Sequence, residues 1–198
     1  MKKPASSVLR INHLSDPKTA AIMGYKFKTR ELAALSVADM REVLFGTNST
    51  NSPDFLLRGL LKRPPHEFWP LFHEFWSTCD NTWRWGERFL RLLQRNGDAR
   101  PYMDQDQTEL LGRLPNEVEV FRGCSLSRVN AISWTTDREI AEDFAAGHRS
   151  IGVPDAVVAS AAISKQSIIT VILDRQEKEV LLDPINLQNV KVSAWVRT

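Results

Sequence analysis

The hydrophobic period of the chain changes at Pro115. Before it, apolar residues recur three and four apart; after it, they alternate. A period near 3.6 buries one stripe of a helix and a period of 2 buries one face of a strand, so the two stretches cannot share one architecture. The sequence predicts an α+β fold, with a helical region over 1–115 and a β unit over 116–198.

Within the first stretch, Ser36 is a natural N-cap with Asp39 three residues on, followed by a stripe of Val37, Met40, Val43 and Leu44 and a stop at Gly46. Ser52-Pro53 opens another helix carrying Phe55, Leu56, Leu60 and Leu61. The run Pro64 to Trp76 repeats His-Glu-Phe-Trp after seven residues, and Pro70 between the copies is expected to end or kink the first. A further helix is expected from Trp85 to Gln94, stopping near Asn96-Gly97. Beyond Pro115, strands are expected at Val118–Arg122, Ala131–Thr135, Ala156–Ile163, Ile168–Leu173, Glu179–Leu182 and Val190–Val196. Thr136 to Glu139 forms a capping box that opens one helix with Ile140, Ala141, Phe144 and Ala145, closed by Gly147.

Composition narrows the function classes. With 42% apolar and 25% charged residues the chain has enough apolar side chain for an ordinary core, which excludes disorder. No apolar run approaches the ~18 residues of a membrane span, and the polar start after Met1-Lys2-Lys3 gives no expectation of a secretory signal. Cys79 and Cys124 match no metal or redox spacing and read as reduced thiols of a cytoplasmic protein. The net charge is +2, made of +4 up to residue 115 and −2 beyond it, a mild basic bias in the helical part. His66 and His73 lie seven apart across Pro70, the wrong spacing for a zinc helix, so no metal site is expected. Trp69, Trp76, Trp83 and Trp85 lie near Arg84, Arg88 and Arg91; they suit either a core or a platform for stacking bases. Neither a dinucleotide glycine fingerprint, a Gly-x-Ser-x-Gly elbow nor a kinase set is present.

The remaining polar residues with chemical potential lie in the β unit. Arg122 follows the apolar strand Val118-Glu119-Val120-Phe121 and precedes Gly123, so its guanidinium can share the side of Val118 and Val120 while the chain turns just beyond. A planar fork in that position suits a pyrophosphate or a carboxylate. Ser133 and Thr135 share one side of the next strand, with Ile132 and Trp134 on the other. Glu177 and Glu179 flank Lys178 at the entry to Val180-Leu181-Leu182, a pair in which one carboxylate can orient a substrate while the other takes a proton.

In this order, Phe121-Arg122-Gly123, then Ile132-Ser133-Trp134-Thr135-Thr136 leading into Ala141-Glu142-Asp143-Phe144-Ala145, then Glu177-Lys178-Glu179-Val180-Leu181-Leu182, the chain resembles the ADP-ribosyltransferases of the arginine-serine-glutamate type. The resemblance covers roughly residues 117 to 185. It implies a pair of small packed β-sheets with a cleft for NAD, which needs no Rossmann glycines. Ten residues separate Arg122 from Ser133, a short interval, and Trp134 occupies the middle of the hydroxyl motif. The residue that holds the catalytic glutamate is thus Ser133 or Thr135, with Ser133 the expectation.

The resemblance further implies an NAD-dependent mono-ADP-ribosyltransferase, a glycosyltransferase acting in the cytoplasm as a toxin or effector. NAD is the co-substrate. Glu179 and Glu177 are the expected catalytic pair, and Arg122, Gly123, Ser133, Trp134 and Thr135 the expected NAD-binding set. A macromolecule accepts the ADP-ribose: protein arginine first, RNA or DNA as the alternative. A neutralising partner protein fits a toxin, and no membrane partner is expected. An NAD glycohydrolase and an NAD-inactive binding module remain the competing readings. The helical region either selects the substrate or packs on the core.

Overall fold

A computed structural model of the chain describes residues 16–147 and 152–196. The fold is α+β, with eight helices and six strands among the described residues. Two compact units divide in sequence between Trp85 and Gly86.

The first unit is helical: α1 (Pro17–Ile22), α2 (Thr29–Ala34), α3 (Val37–Phe45), α4 (Ser52–Leu60) and α5 (Pro65–Phe75), followed by short 3-10 turns at Trp76–Thr78 and Thr82–Trp85. Ser36 caps α3 as its sequence predicts, its hydroxyl accepting from the Asp39 amide at 3.0 Å. Gly46 ends α3 at φ −80°, an ordinary helical value. A Cβ there would stand 2.8 Å from the Lys18 carbonyl of α1, so close packing rather than a left-handed turn calls for glycine. At α4 the cap is Asn51, and Ser52 is already helical, its hydroxyl donating to the Asn48 carbonyl. The buried face of α4 is Leu56, Leu57 and Leu60, while Leu61 lies outside it and is exposed.

Pro70 neither ends nor breaks α5, which runs through it. The proline removes one backbone donor, but the residues around it, Phe68, Trp69, Leu71, Phe72 and Phe75, are all buried. Their rings pack on one another, Phe68 stacked on Phe72 at 5.7 Å and edge-on to Trp69 at 5.0 Å. Burial of that many aromatic faces outweighs one lost hydrogen bond. The His-Glu-Phe-Trp echo is thereby a core motif at Trp69 and Trp76, both buried, whereas Trp83 is exposed with Arg84 over its ring.

The second unit begins with α6 (Gly86–Arg95) and α7 (Gln105–Arg113), so residues 86–115, grouped by period with the helical region, fall in the same unit as the strands. Its other elements are β1 (Glu117–Ser125), β2 (Ser133–Thr135), α8 (Arg138–Ala146), β3 (Ala156–Ser164), β4 (Ile168–Ile172), β5 (Glu179–Leu182) and β6 (Gln188–Ala194). All six expected strands are present. The chain does not turn after Arg122; β1 continues to Ser125. Gln107 of α7 donates to the Val171 carbonyl of β4 at 2.9 Å, and Leu111 joins the sheet core.

The strands form one antiparallel sheet in the order β4-β5-β2-β1-β3-β6, where the resemblance implies two packed sheets. Its joints are unequal. β1 and β3 pair along their whole length, from Glu117↔Ser164 to Ser125↔Ala156, whereas β1 and β2 pair only at Phe121↔Thr135. One face carries a dry core of Val118, Val120, Trp134, Ala161, Val171 and Val180. On β1 the other face is covered by α8, which comes so close that a Cβ on Gly123 would lie 1.7 Å from the Ala141 carbonyl.

Candidate functional site

The site residues are positioned by the strand register. Phe121 of β1, Thr135 of β2, Glu179 of β5 and Ile172 of β4 are successive cross-strand partners. Directly opposed residues share a face, so Glu179 stands beside Thr135 on the side opposite the dry core. Glu179 is buried, at 9% exposure. Ser133, opposite Leu181, shares that face two residues along β2 and is half-buried. The register therefore puts Thr135, not Ser133, directly across from Glu179.

Thr135 is a node. Its hydroxyl donates to the Glu177 carbonyl at 2.7 Å and accepts from the Asp137 amide at 3.1 Å. The Thr136 amide donates to the Lys178 carbonyl at 3.2 Å. Lys178, between the two glutamates, pairs through Nζ with Asp137 Oδ2 at 2.9 Å. That bond, with the amide of Glu139, holds the Asp137 carboxyl below its ordinary range. Asp137 is also the N-cap of α8, accepting from the Glu139 amide at 3.1 Å, so the helix starts one residue later than a Thr136 cap predicts.

Arg122 lies on the opposite face of the sheet from Glu179 and Thr135, the face that carries the dry core. Pleating groups it with Val118 and Val120, as the sequence predicts. Its Nε donates to the Arg128 carbonyl at 3.1 Å, and its fork donates to the Ser133 carbonyl. The half-buried guanidinium thus fills the opening where β1 and β2 part beyond Phe121↔Thr135. Burial lowers its pKa below the usual guanidinium range, opposed by Cys124 and by the charge of Glu179. Cys124, two residues along the same side of β1, is buried; desolvation raises its thiol pKa against the pull of Arg122.

The structure brings Thr135, Glu177 and Glu179 together and ties Arg122 to Ser133. Two expected residues take other places. Trp134 points into the dry core, 2% exposed, with Nε1 donating to the Ala131 carbonyl at 2.8 Å. Gly123 is glycine because α8 lies on it. Neither lines the site. Conversely, Asp137, Lys178 and Cys124 adjoin the expected residues without being among them. The capping box pointed to the first, read one residue early; the other two had no signal beyond adjacency to Glu177, Glu179 and Arg122.

A hollow of about 280 Å³ opens on β1, β3 and β6, lined by residues including Glu117, Glu119, Ser160 and Lys191, and none of Arg122, Ser133, Thr135, Glu177 and Glu179 lines it. Among the described residues, no three His, Cys, Asp or Glu side chains are gathered as a metal site. No described helix is long and apolar enough to cross a membrane. Compared with protein-family models, with curated proteins and with solved structures, the chain matches none of them.

Proposed function

We propose that the chain is an NAD-dependent mono-ADP-ribosyltransferase that modifies a macromolecule, protein arginine in the first instance. One observation carries the reading: three motifs distant in sequence lie on three strands adjacent in the sheet, with Arg122 on β1 bonded to Ser133 of β2 and Glu179 of β5 beside Thr135 of β2. The thin joint between β1 and β2 supports the finer fold as well, since it nearly separates β4-β5-β2 from β1-β3-β6.

The side chains suit NAD as co-substrate. Arg122 donates through Nε and through one fork nitrogen, and a guanidinium carries five N–H groups, a donor set that suits an anion. The remaining groups are a hydroxyl and two carboxylates, one of them buried. In the reaction, the bond from ribose C1′ to nicotinamide breaks and nicotinamide leaves with the electron pair, while the acceptor nitrogen bonds to C1′. Positive charge builds on the ribose in the transition state, so a fixed carboxylate at Glu179 stabilises it more than it stabilises the ground state. Glu177 takes the proton that the acceptor nitrogen releases. A cytoplasmic place of action belongs to this proposal; neither Cys79 nor Cys124 is in a disulfide.

Glu179→Gln keeps the size of the side chain and removes its charge. The expected result is loss of labelled ADP-ribose transfer from NAD to lysate macromolecules by at least about a hundredfold, with an unchanged circular dichroism spectrum. Full transfer by that variant rejects the proposal.

A further inference from the structure

The turn that delivers the two glutamates is held in an unfavourable backbone conformation. Arg175 and Gln176 both have φ 59° and Lys178 has φ 44°, left-handed values in three residues that are not glycine. Such conformations persist only where the surroundings impose them. Within the turn, the Gln176 amide donates to the Leu173 carbonyl and the Glu177 amide to the Asp174 carbonyl, the second at a long 3.4 Å. From outside, the turn is gripped by residues 135–137. The Thr135 hydroxyl takes the Glu177 carbonyl, the Thr136 amide takes the Lys178 carbonyl, and the Asp137 carboxylate takes the Lys178 ammonium. Thr135 is buried and engages the Asp137 amide as well, so the grip closes on itself.

We infer that Thr135, Asp137 and Lys178 form a clamp that sets the position of Glu177 relative to Glu179, and thereby governs transfer to a macromolecular acceptor. The inference rests on the ADP-ribosyltransferase reading. Glu179 is held by the β2–β5 ladder, with Thr135 as its register partner. Glu177 lies outside any strand, and its backbone is tied to the Thr135 hydroxyl and to the Asp174 carbonyl. Loosening the clamp therefore displaces the acceptor base while leaving the carboxylate that faces the ribose in its ladder. Lys178 and Asp137 are positioning residues; neither is assigned contact with substrate.

The test separates mechanics from chemistry. Trypsin cleaves after arginine, and Arg175 lies inside the clamped turn. Lys178→Met removes the ion pair and a second tryptic site together, and Asp137→Asn removes the charge while retaining an N-cap side chain for α8. In the full chain, Thr135→Val is expected to be cut after Arg175 at least about tenfold faster than the parent under native conditions, and the two ion-pair variants about two- to fivefold faster, the scale of a partly exposed pair, since local opening exposes the bond. Thr135→Ser, which keeps the hydroxyl, is expected to restore resistance. With NAD and lysate protein, Lys178→Met and Asp137→Asn are expected to lose about ten- to a hundredfold of labelled transfer, the scale of a misplaced catalytic group. Nicotinamide release to water is expected to fall only a few-fold. The double variant should be no worse than either single one, because both remove the same bond. Unchanged cleavage after Arg175, or transfer and nicotinamide release falling in parallel, overturns the clamp. If the parent chain releases no nicotinamide from NAD, the functional reading fails and the acceptor role with it, while the cleavage rates still report separately on the turn.

Discussion

Gly123 shows how one residue can matter for a reason its neighbours in sequence do not reveal. It lies between Arg122 and Cys124 on a strand, where chemistry invites a ligand contact, yet its hydrogen faces the backbone of α8. A methyl group would meet the Ala141 carbonyl at 1.7 Å and the Ala145 amide nitrogen at 2.6 Å, and neither is the end of a flexible side chain. Gly123→Ala is expected to lower stability by about 2 kcal/mol or more, the upper range of overpacking, read from urea unfolding as a shifted midpoint with unchanged slope. Local rules did identify residues whose partners are close in sequence. Ser36 and Asp39 face each other three residues apart, and Glu179 opens its strand as predicted. The cap of α8 came out one residue off, because Thr136 and Asp137 are both competent caps and only the closed backbone chooses between them.

At the level of elements, period was a good guide to type and a poor guide to continuity. The six strands after Pro115 could be read because each alternates and is bounded by turn residues. Helix α5 could not be read through Pro70, since the cost of a proline is local and the compensation, a cluster of buried rings, is tertiary. Pro70→Ala restores the missing donor and is expected to raise stability by about 1–3 kcal/mol, measured as a higher urea midpoint for amides of the first unit. No gain would mean that the ring of Pro70 itself contributes packing equal to the hydrogen bond. Helix α7 carries a local signal of its own: Asp104 and Gln107 form a capping box at 2.8 and 3.0 Å, with both partners three residues apart in the sequence. The strand pairing order was not legible at all. Which strands neighbour one another depends on contacts up to tens of residues apart, and β5 beside β2 is the arrangement on which the candidate site depends.

At the level of the whole molecule, the chain separates into two compact units near Trp85. Hydrogen exchange followed by mass spectrometry across a urea series is expected to show two midpoints, one for peptides up to residue 85 and one for peptides beyond it; a common midpoint would mean that the units unfold together. The change of period at Pro115 was visible in sequence, but the division into units lies about thirty residues earlier, since α6 and α7 are helical in pattern while Gln107 and Leu111 of α7 are committed to the sheet. Within that sheet a single residue pair joins β1 to β2, and next to it the Arg122 side chain donates to the Ser133 carbonyl of β2 and to the Arg128 carbonyl of the connection between the two strands. Arg122 is consequently a fastener as well as a candidate anion ligand. A mutational survey that ranks residues by lost turnover will overrate it, because an inactive substitution at 122 reports a parted seam with the same zero as the loss of an anion ligand.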